Sequence, residues 1–336
     1  MGARTLHVAK RTLRLASPFR ISGYVFETWD VVVATIVEGD HSGRGEGGGV
    51  YYLGDDVVHM LADIETARPA IEAGVGRDEL RGVMPAGGGR NALDCALWEL
   101  EAAQAGRPVW QLAGLHEPRP VRTTFTLGAD DPEMMAQKAL AYTDARAIKM
   151  KLTGDVALDL ARVEAVRVAR TDVWLGVDGN QGFTIADLPA LTEGLVRCGV
   201  AQLEQPLPRG RETELDDFAS PLPIAGDESL LTLDDVAAAV GRFDIVNIKL
   251  DKCGGLTEGL LMNADARARG LSVMVGCMVG TSLAMAPAFL IGQTCDVVDL
   301  DGPTFLVDDP APSVDYRDGT IFASASVWGS AGAIPA

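Results

Sequence analysis

Three carboxylates sit in short polar motifs that recur at nearly even intervals: Asp178 in VDGNQG, Glu204 in LEQPLP and Asp227 in AGDES, 26 and 23 positions apart. Each interval is about the length of one strand plus one helix, so the acids should end successive strands. Hard oxygen donors converging from neighbouring strands suit a magnesium ion, which keeps positions open for water or substrate. The alternative is that each acid caps the following helix, which serves one such residue better than three in step. Two lysines extend the set, Lys151 in AIKMKL and Lys249 in IVNIKL. On the second and sixth strands of a barrel they approach a cavity from opposite sides of the acids. Burial beside a divalent cation and another ammonium disfavours the protonated form, so at least one of them could act as a base near neutral pH. Two facing lysines could remove a proton and return it. Ordinary ion pairs with neighbouring acids are the alternative.

Other strand ends are charged as well. Residues two apart on a strand point the same way, so Lys149 with Lys151, Lys249 with Asp251 and Asp299 with Asp301 can each turn both side chains into one cavity. Cys277 and Met278, after SVMVG, would line that cavity or pack in the core. All four histidines (His7, His41, His59, His116) lie at or before position 116. This removes His-ligated metal hydrolysis and Ser-His-Asp catalysis from the later part of the chain and leaves acid-base work to lysine.

Eight short apolar runs carry these residues: TTFTL from Thr123, AIKMKL from Ala147, VWLGVD from Val173, VAQLE from Val200, LPIAG from Leu222, IVNIKL from Ile245, SVMVG from Ser272 and VVDL from Val297. Helical stretches alternate with them, which implies parallel pairing through right-handed crossovers and closure into a barrel. The expected fold class is α/β, a (β/α)7β TIM-like barrel over 116–312. An α+β capping domain precedes it over 1–115, and the tail 313–336 should return to that domain. Within the first part, Leu6–Leu15 and Asp30–Val37 alternate as antiparallel strands, and the glycine-rich segment from Gly43 to Gly49 reads as a turn. Its GRGEGG matches GxGxxG, but no helix opens from it, so dinucleotide binding is not expected. Leu93, Ala96, Leu97 and Leu100 form one apolar helical face that stops near Gly106 and Pro108.

The 336 residues carry 29 Lys+Arg against 47 Asp+Glu, a net charge of −18. Such a surface argues against a nucleic-acid partner, which needs clustered cations. With 47% hydrophobic and 23% charged residues the chain is not largely disordered. Five scattered cysteines without a CxxC pair make neither a disulfide framework nor a thiolate zinc site and read as reduced thiols in a cytoplasm. The opening MGARTLHVAKRT lacks an apolar signal core. Leu271 to Cys295 carries no charge and is long enough to cross a bilayer, but Gly276, Gly280, Thr281, Ser282 and Pro287 break it. A buried strand, a loop and a buried helix explain it better, and no membrane partner is expected.

Together KMK at Lys149–Lys151, VDGN, LEQP, GDES and NIKLDKCGG around Lys249 resemble the enolase superfamily, in its muconate-lactonizing-enzyme-like branch. MPAGGGRNALDCALWELEA from Met84, GCMVGTSLAMAPA from Gly276 and DLDGP from Asp299 are most similar to dipeptide epimerases of the L-Ala-D/L-Glu type. The resemblance implies one Mg²⁺ per subunit held by Asp178, Glu204 and Asp227, with Lys151 and Lys249 as the acid/base pair. It implies that Lys149 sits beside the substrate carboxylate, that Asp299 and Asp301 hold the dipeptide's α-ammonium, and that the C-terminal residue's α-carbon is inverted through an enediolate. A homo-oligomer is compatible with it. Glutamate-selective members carry a basic residue on the mobile loop after the first strand. Here Phe26 stands near that place and Arg20 several positions earlier. Arg20 could compensate if the loop folds over the site; Tyr24, Phe26 and Trp29 favour an apolar or aromatic side chain, or simply pack cap against barrel. o-Succinylbenzoate synthases and muconate cycloisomerases share the lysines and metal site, but their acid substrates carry no ammonium for Asp299 and Asp301. A non-catalytic magnesium-dependent binding barrel would leave both lysines without purpose.

Overall fold

The computed structural model describes residues 3–21 and 24–331, with only the backbone of residues 20 and 21. The chain opens with an antiparallel sheet of β1 (Arg4–Ile21), β2 (Tyr24–Glu38) and β3 (His41–Gly48). Alternation along β2 divides its side chains between two cores. Val32, Ala34 and Ile36 pack with Met60, Ile64, Leu93 and Leu100 of helices α1 (Val57–Glu72) and α2 (Gly88–Ala105). Trp29 and Val31 face the other way and join Leu13, Leu15, Met278, Val279 and Leu306 in a cluster that glues this sheet to the barrel.

The glycine-rich segment is not a turn. Gly43 to Gly48 lies within β3, and the turn before it is at Gly39 and Asp40. Its glycines are there because α2 lies against the strand: a Cβ on Gly45 would stand 2.1 Å from the Ala92 carbonyl oxygen, and one on Gly47 1.9 Å from that of Gly88. Counting glycines as loop formers misses this use, in which the missing side chain admits a helix. The helix itself ends at Gly106, whose φ of +59° makes the left-handed cap.

After β4 (Val121–Arg122) all eight expected runs form parallel strands, in the order in which they occur: β5 (Phe125–Leu127), β6 (Ala147–Lys151), β7 (Trp174–Asp178), β8 (Gln202–Glu204), β9 (Ile224–Gly226), β10 (Ile245–Lys249), β11 (Ser272–Gly276) and β12 (Val297–Asp299). The first and last meet where Thr124 N–H donates to the Val298 carbonyl at 2.9 Å and Leu300 N–H to Thr123 Oγ1 at 3.0 Å. The uncharged stretch Leu271–Cys295 becomes β11 and the helix Ser282–Gly292. Among the described residues no helix is long and apolar enough to cross a membrane. In the tail, β13 (Asp315–Arg317) pairs with β14 (Thr320–Phe322) and β14 with β4, after which Trp328 Nε1 donates to the Arg44 carbonyl and Gly329 N–H to Glu99.

Three buried acids tie the N-terminal sheet and helices to the barrel. Glu46 accepts from Thr281 N–H and its hydroxyl, Asp94 from Thr257 N–H, and Asp251 from Gly48 N–H and Asn91 Nδ2. Burial pushes Glu46 up to about 7 and Asp94 and Asp251 up to about 6. An acid whose pKa is raised by folding binds its proton more tightly in the folded state. Stability is therefore greatest at the acid end and falls as pH rises from about 4 to about 7, by on the order of 3 kcal/mol per group. Thermal denaturation from pH 5 to 8 is expected to show this decline, flattened in Glu46→Gln and Asp94→Asn. Unchanged slopes in both variants would contradict it.

Candidate active site

The strand register brings the predicted acids and lysines to one level. Lys151 pairs across with Asp178 and Asp178 with Glu204, while Glu204 stands opposite Ala225, two residues before Asp227. On the far side Lys249 is level with Gly276, and Gly276 with Asp299. A Cβ on Gly276 would lie 3.0 Å from Lys249 Cε, so glycine there leaves room for the lysine stem.

Asp178, Glu204 and Asp227 are 0%, 0% and 1% exposed, and one ligand oxygen from each lies within 4.8 Å of the others. Three buried acids so close repel one another unless cations meet them. Lys151 Nζ lies 2.6 Å from Asp178 and Lys249 Nζ 2.5 Å from Asp227, so the two amines stand at opposite ends of the row with Glu204 between. Glu204 takes a hydrogen bond from Asn247 on one oxygen; among the described residues Oε2 has no hydrogen-bond partner, though Lys149 Nζ lies 3.3 Å from it as an ion pair. Burial, reinforced by Asp178, pushes Glu204 up to about 7. Burial also works to raise Asp227, but Lys249 and Lys252 outweigh it and hold that carboxyl far below its usual range. A donor set of carboxylate oxygens with one buried orphan fits a single hard dication such as magnesium.

The carboxylates around Lys149 and Lys249 favour the ammonium form of each. Burial works against each ammonium, but the acids around it, Asp299 first for Lys149 and Asp227 first for Lys249, win and hold both well above the ordinary value. The expectation that crowding among cations frees a lysine needs a cation that takes up the carboxylate charge.

The cavity above these groups is lined by Lys149, Lys151, Lys249, Asp299, Asp301, Cys277, Met278 and Phe26, among others. Arg20 lies on β1 opposite Val25, and its side chain falls outside the described residues. Asp299 is bonded to Lys149 and the Thr124 hydroxyl. Burial works to raise its pKa, but Lys149 and these hydrogen bonds hold it below the usual range. Asp301 accepts from Thr126 N–H at 2.6 Å and, pushed up to about 7 by burial and by Asp299, is the less compensated of the pair. Asp251 does not share the cavity with Lys249. The strand ends at Lys249, and the helical turn Leu250–Cys253 swings Asp251 toward Gly48 and Asn91.

Several positioning residues escape a reading of strand ends. Lys252, fully buried, donates to both Asp227 Oδ1 and its carbonyl oxygen. Gln205, at φ +31°, accepts from Asp227 N–H and Ser229 N–H and so ties the LEQP loop to the GDES loop. Asn180, at φ +40°, turns its N–H back onto Asp178 Oδ1 at 2.8 Å. Left-handed backbone at Asn180, Gln181 and Gln205, in the two loops that follow Asp178 and Glu204, marks conformations held by the site around them. Polar residues directly after the predicted ligands were the available signal.

Residues 133–325 match the family described as enolase C-terminal domain-like. The chain belongs to the enolase superfamily. Among members of the superfamily it is 38% identical to the L-Ala-D/L-Glu epimerase of Escherichia coli strain K12, over 95% of this chain and 99% of that protein. A solved enolase family member from Agrobacterium tumefaciens with homology to dipeptide epimerases, with bound sodium and L-Ala-L-Glu, superposes with a TM-score of 0.93 at 37% identity, covering 97% of this chain and 100% of that one. The dipeptide epimerase from Enterococcus faecalis V583, complexed with Mg and L-Leu-L-Tyr, gives 0.89 at 28% identity over 98% and 99%.

Proposed function

We propose that this superfamily member is a magnesium-dependent dipeptide epimerase that inverts the α-carbon of the C-terminal residue. The observation that carries the reading is the placement of Lys151 and Lys249 at the two ends of a buried three-carboxylate row, facing one cavity with Asp301. A substrate carboxylate set against the row has its α-carbon between two amines. Asp178, Glu204 and Asp227 would hold the magnesium ion, which supplies positive charge as the substrate carboxylate gains its second negative charge. Relatives with Mg and a dipeptide in place support that cofactor.

One lysine begins neutral and takes the α-proton, leaving its electron pair on the carboxylate as an enediolate. The other begins as ammonium and delivers a proton to the opposite face, so the pair exchanges charge states in each turnover. Lys149, close to Glu204 Oε2, adds a third amine near the developing charge. Asp301 is the acceptor best placed for the substrate's α-ammonium, because Asp299 already has Lys149 and Thr124. That need for an ammonium separates this reading from o-succinylbenzoate synthase and muconate cycloisomerase. The cytoplasm, where unpaired cysteines stay reduced, is the matching compartment.

In D₂O, the C-terminal α-hydrogen of a suitable Ala-Xaa dipeptide is expected to exchange for deuterium as both epimers appear. Exchange should stop with a chelator and return with Mg²⁺. Undiminished exchange in excess chelator, or loss of water from an acid substrate instead, would overturn the proposal.

A further inference from the structure

Resting on the epimerase reading, we infer that the inverted residue carries a large uncharged apolar side chain, aromatic or branched aliphatic, and not that of glutamate. Three of the four substituents on the reacting carbon have their places. The carboxylate faces the acid row, the proton lies between the lysines, and the peptide nitrogen runs toward Asp301. The side chain is left with the remaining wall, formed by Phe19, Phe26, Trp29, Tyr51, Tyr52 and Phe305. The sequence holds 9 Phe, 5 Tyr and 5 Trp in all, and six of these rings gather here. Phe19 and Phe26 are cross-strand partners in the β1–β2 hairpin, so both strands present a ring at the same level.

Charge decides against glutamate. Among the described residues, the cations that line the cavity are Lys149, Lys151 and Lys249, and each already meets a carboxylate, of Asp299, Asp178 and Asp227. No described cation is left for a second substrate carboxylate. Among the described residues, the buried polar atoms of the wall without a hydrogen-bond partner are Trp29 Nε1 and the Tyr52 hydroxyl, both neutral. Neutral donors do not offset the desolvation of a full charge, whereas an apolar side chain gains from the same burial. A cationic side chain fares little better. The planes of Phe26 and Trp29 meet at 65°, of Phe26 and Tyr51 at 63°, and of Trp29 and Tyr51 at 82°. Rings set edge to face cover one another's electron-rich faces, which a cation would need bare.

The test compares kcat/KM of the full-length, magnesium-loaded enzyme for L-Ala-L-Phe, L-Ala-L-Leu, L-Ala-L-Glu and L-Ala-L-Lys. The apolar pair is expected to lead by about 100-fold or more, as for a pocket that leaves a buried charge unpaired. In Phe26→Arg the Phe-to-Glu ratio should fall at least about tenfold, mostly through KM, while Phe26→Leu keeps the apolar preference. Preference for Ala-Glu or Ala-Lys in the wild type overturns the inference and leaves the epimerase reading standing. If Arg20→Ala then abolishes a glutamate preference, Arg20 is the missing cation. Failure of all four dipeptides to exchange their α-hydrogen overturns the epimerase reading, and this inference with it.

Discussion

Lys151→Ala is expected to epimerise dipeptides at least about a thousandfold more slowly, while still binding Mg²⁺. Positioned proton transfer contributes about 10² to 10⁴ in rate, and a two-base inversion cannot be completed by one base. Lys151 contacts Asp178 by a single ion pair, and Asp178 keeps two further donors from Asn180, so the acid row persists without the lysine. Lys249→Ala is the mirror case. Each variant retains one lysine of the acid/base pair and should exchange the α-proton with D₂O from one epimer alone, Lys151→Ala from one hand and Lys249→Ala from the other. Proton NMR of each pure epimer in D₂O reads this directly. Continued interconversion of both epimers by either variant would show that the lysines serve as counter-ions and that another group moves the proton.

A second large effect separates the metal from the fold. Among the described residues, Asp227→Asn removes the only carboxylate in contact with Lys252 and the nearest one to Lys249, both buried. Stranding buried ammonium groups costs about 3–5 kcal/mol, so the metal-free variant should melt at a markedly lower temperature. Glu204→Gln is expected to behave oppositely. Burial already disfavours the Glu204 charge and pushes its pKa up to about 7, and an amide keeps the shape without the charge. That variant should be as stable as the parent, or more so, near pH 8. Both should lose Mg²⁺ affinity and Mg²⁺-dependent exchange. Thermal denaturation with and without the ion, beside calorimetric Mg²⁺ titration, distinguishes the two. Equal loss of stability in both variants would mean that Glu204 is held by an ion pair stronger than its contact with Lys149.

Much of the barrel was legible from local pattern. Strand and helix alternate visibly, and each chemical residue stands at a strand end, where the period of two turns alternate side chains inward. The cap was less legible. Gly43 to Gly48 has the composition of a loop, and only the helix lying 2 Å from the missing Cβ positions explains why a strand carries those glycines. Asp251 shows a related limit, since the period of two that would bring it beside Lys249 ends at the lysine itself, where the backbone turns into a helix.

By itself the sequence determined the residue types, the strand on which each stands and the charge that any partner must complement, because these depend only on chemical identity and on short-range periodicity. Tertiary structure decided what depends on distance between separate strands: which acid each lysine meets, that Lys252 and Gln205 brace the row, and that six rings from the cap and the last loop share one wall. Such contacts join positions as far apart as Phe26 and Phe305. No local pattern encodes them, since they follow from how the sheet closes and how the cap is laid across its mouth.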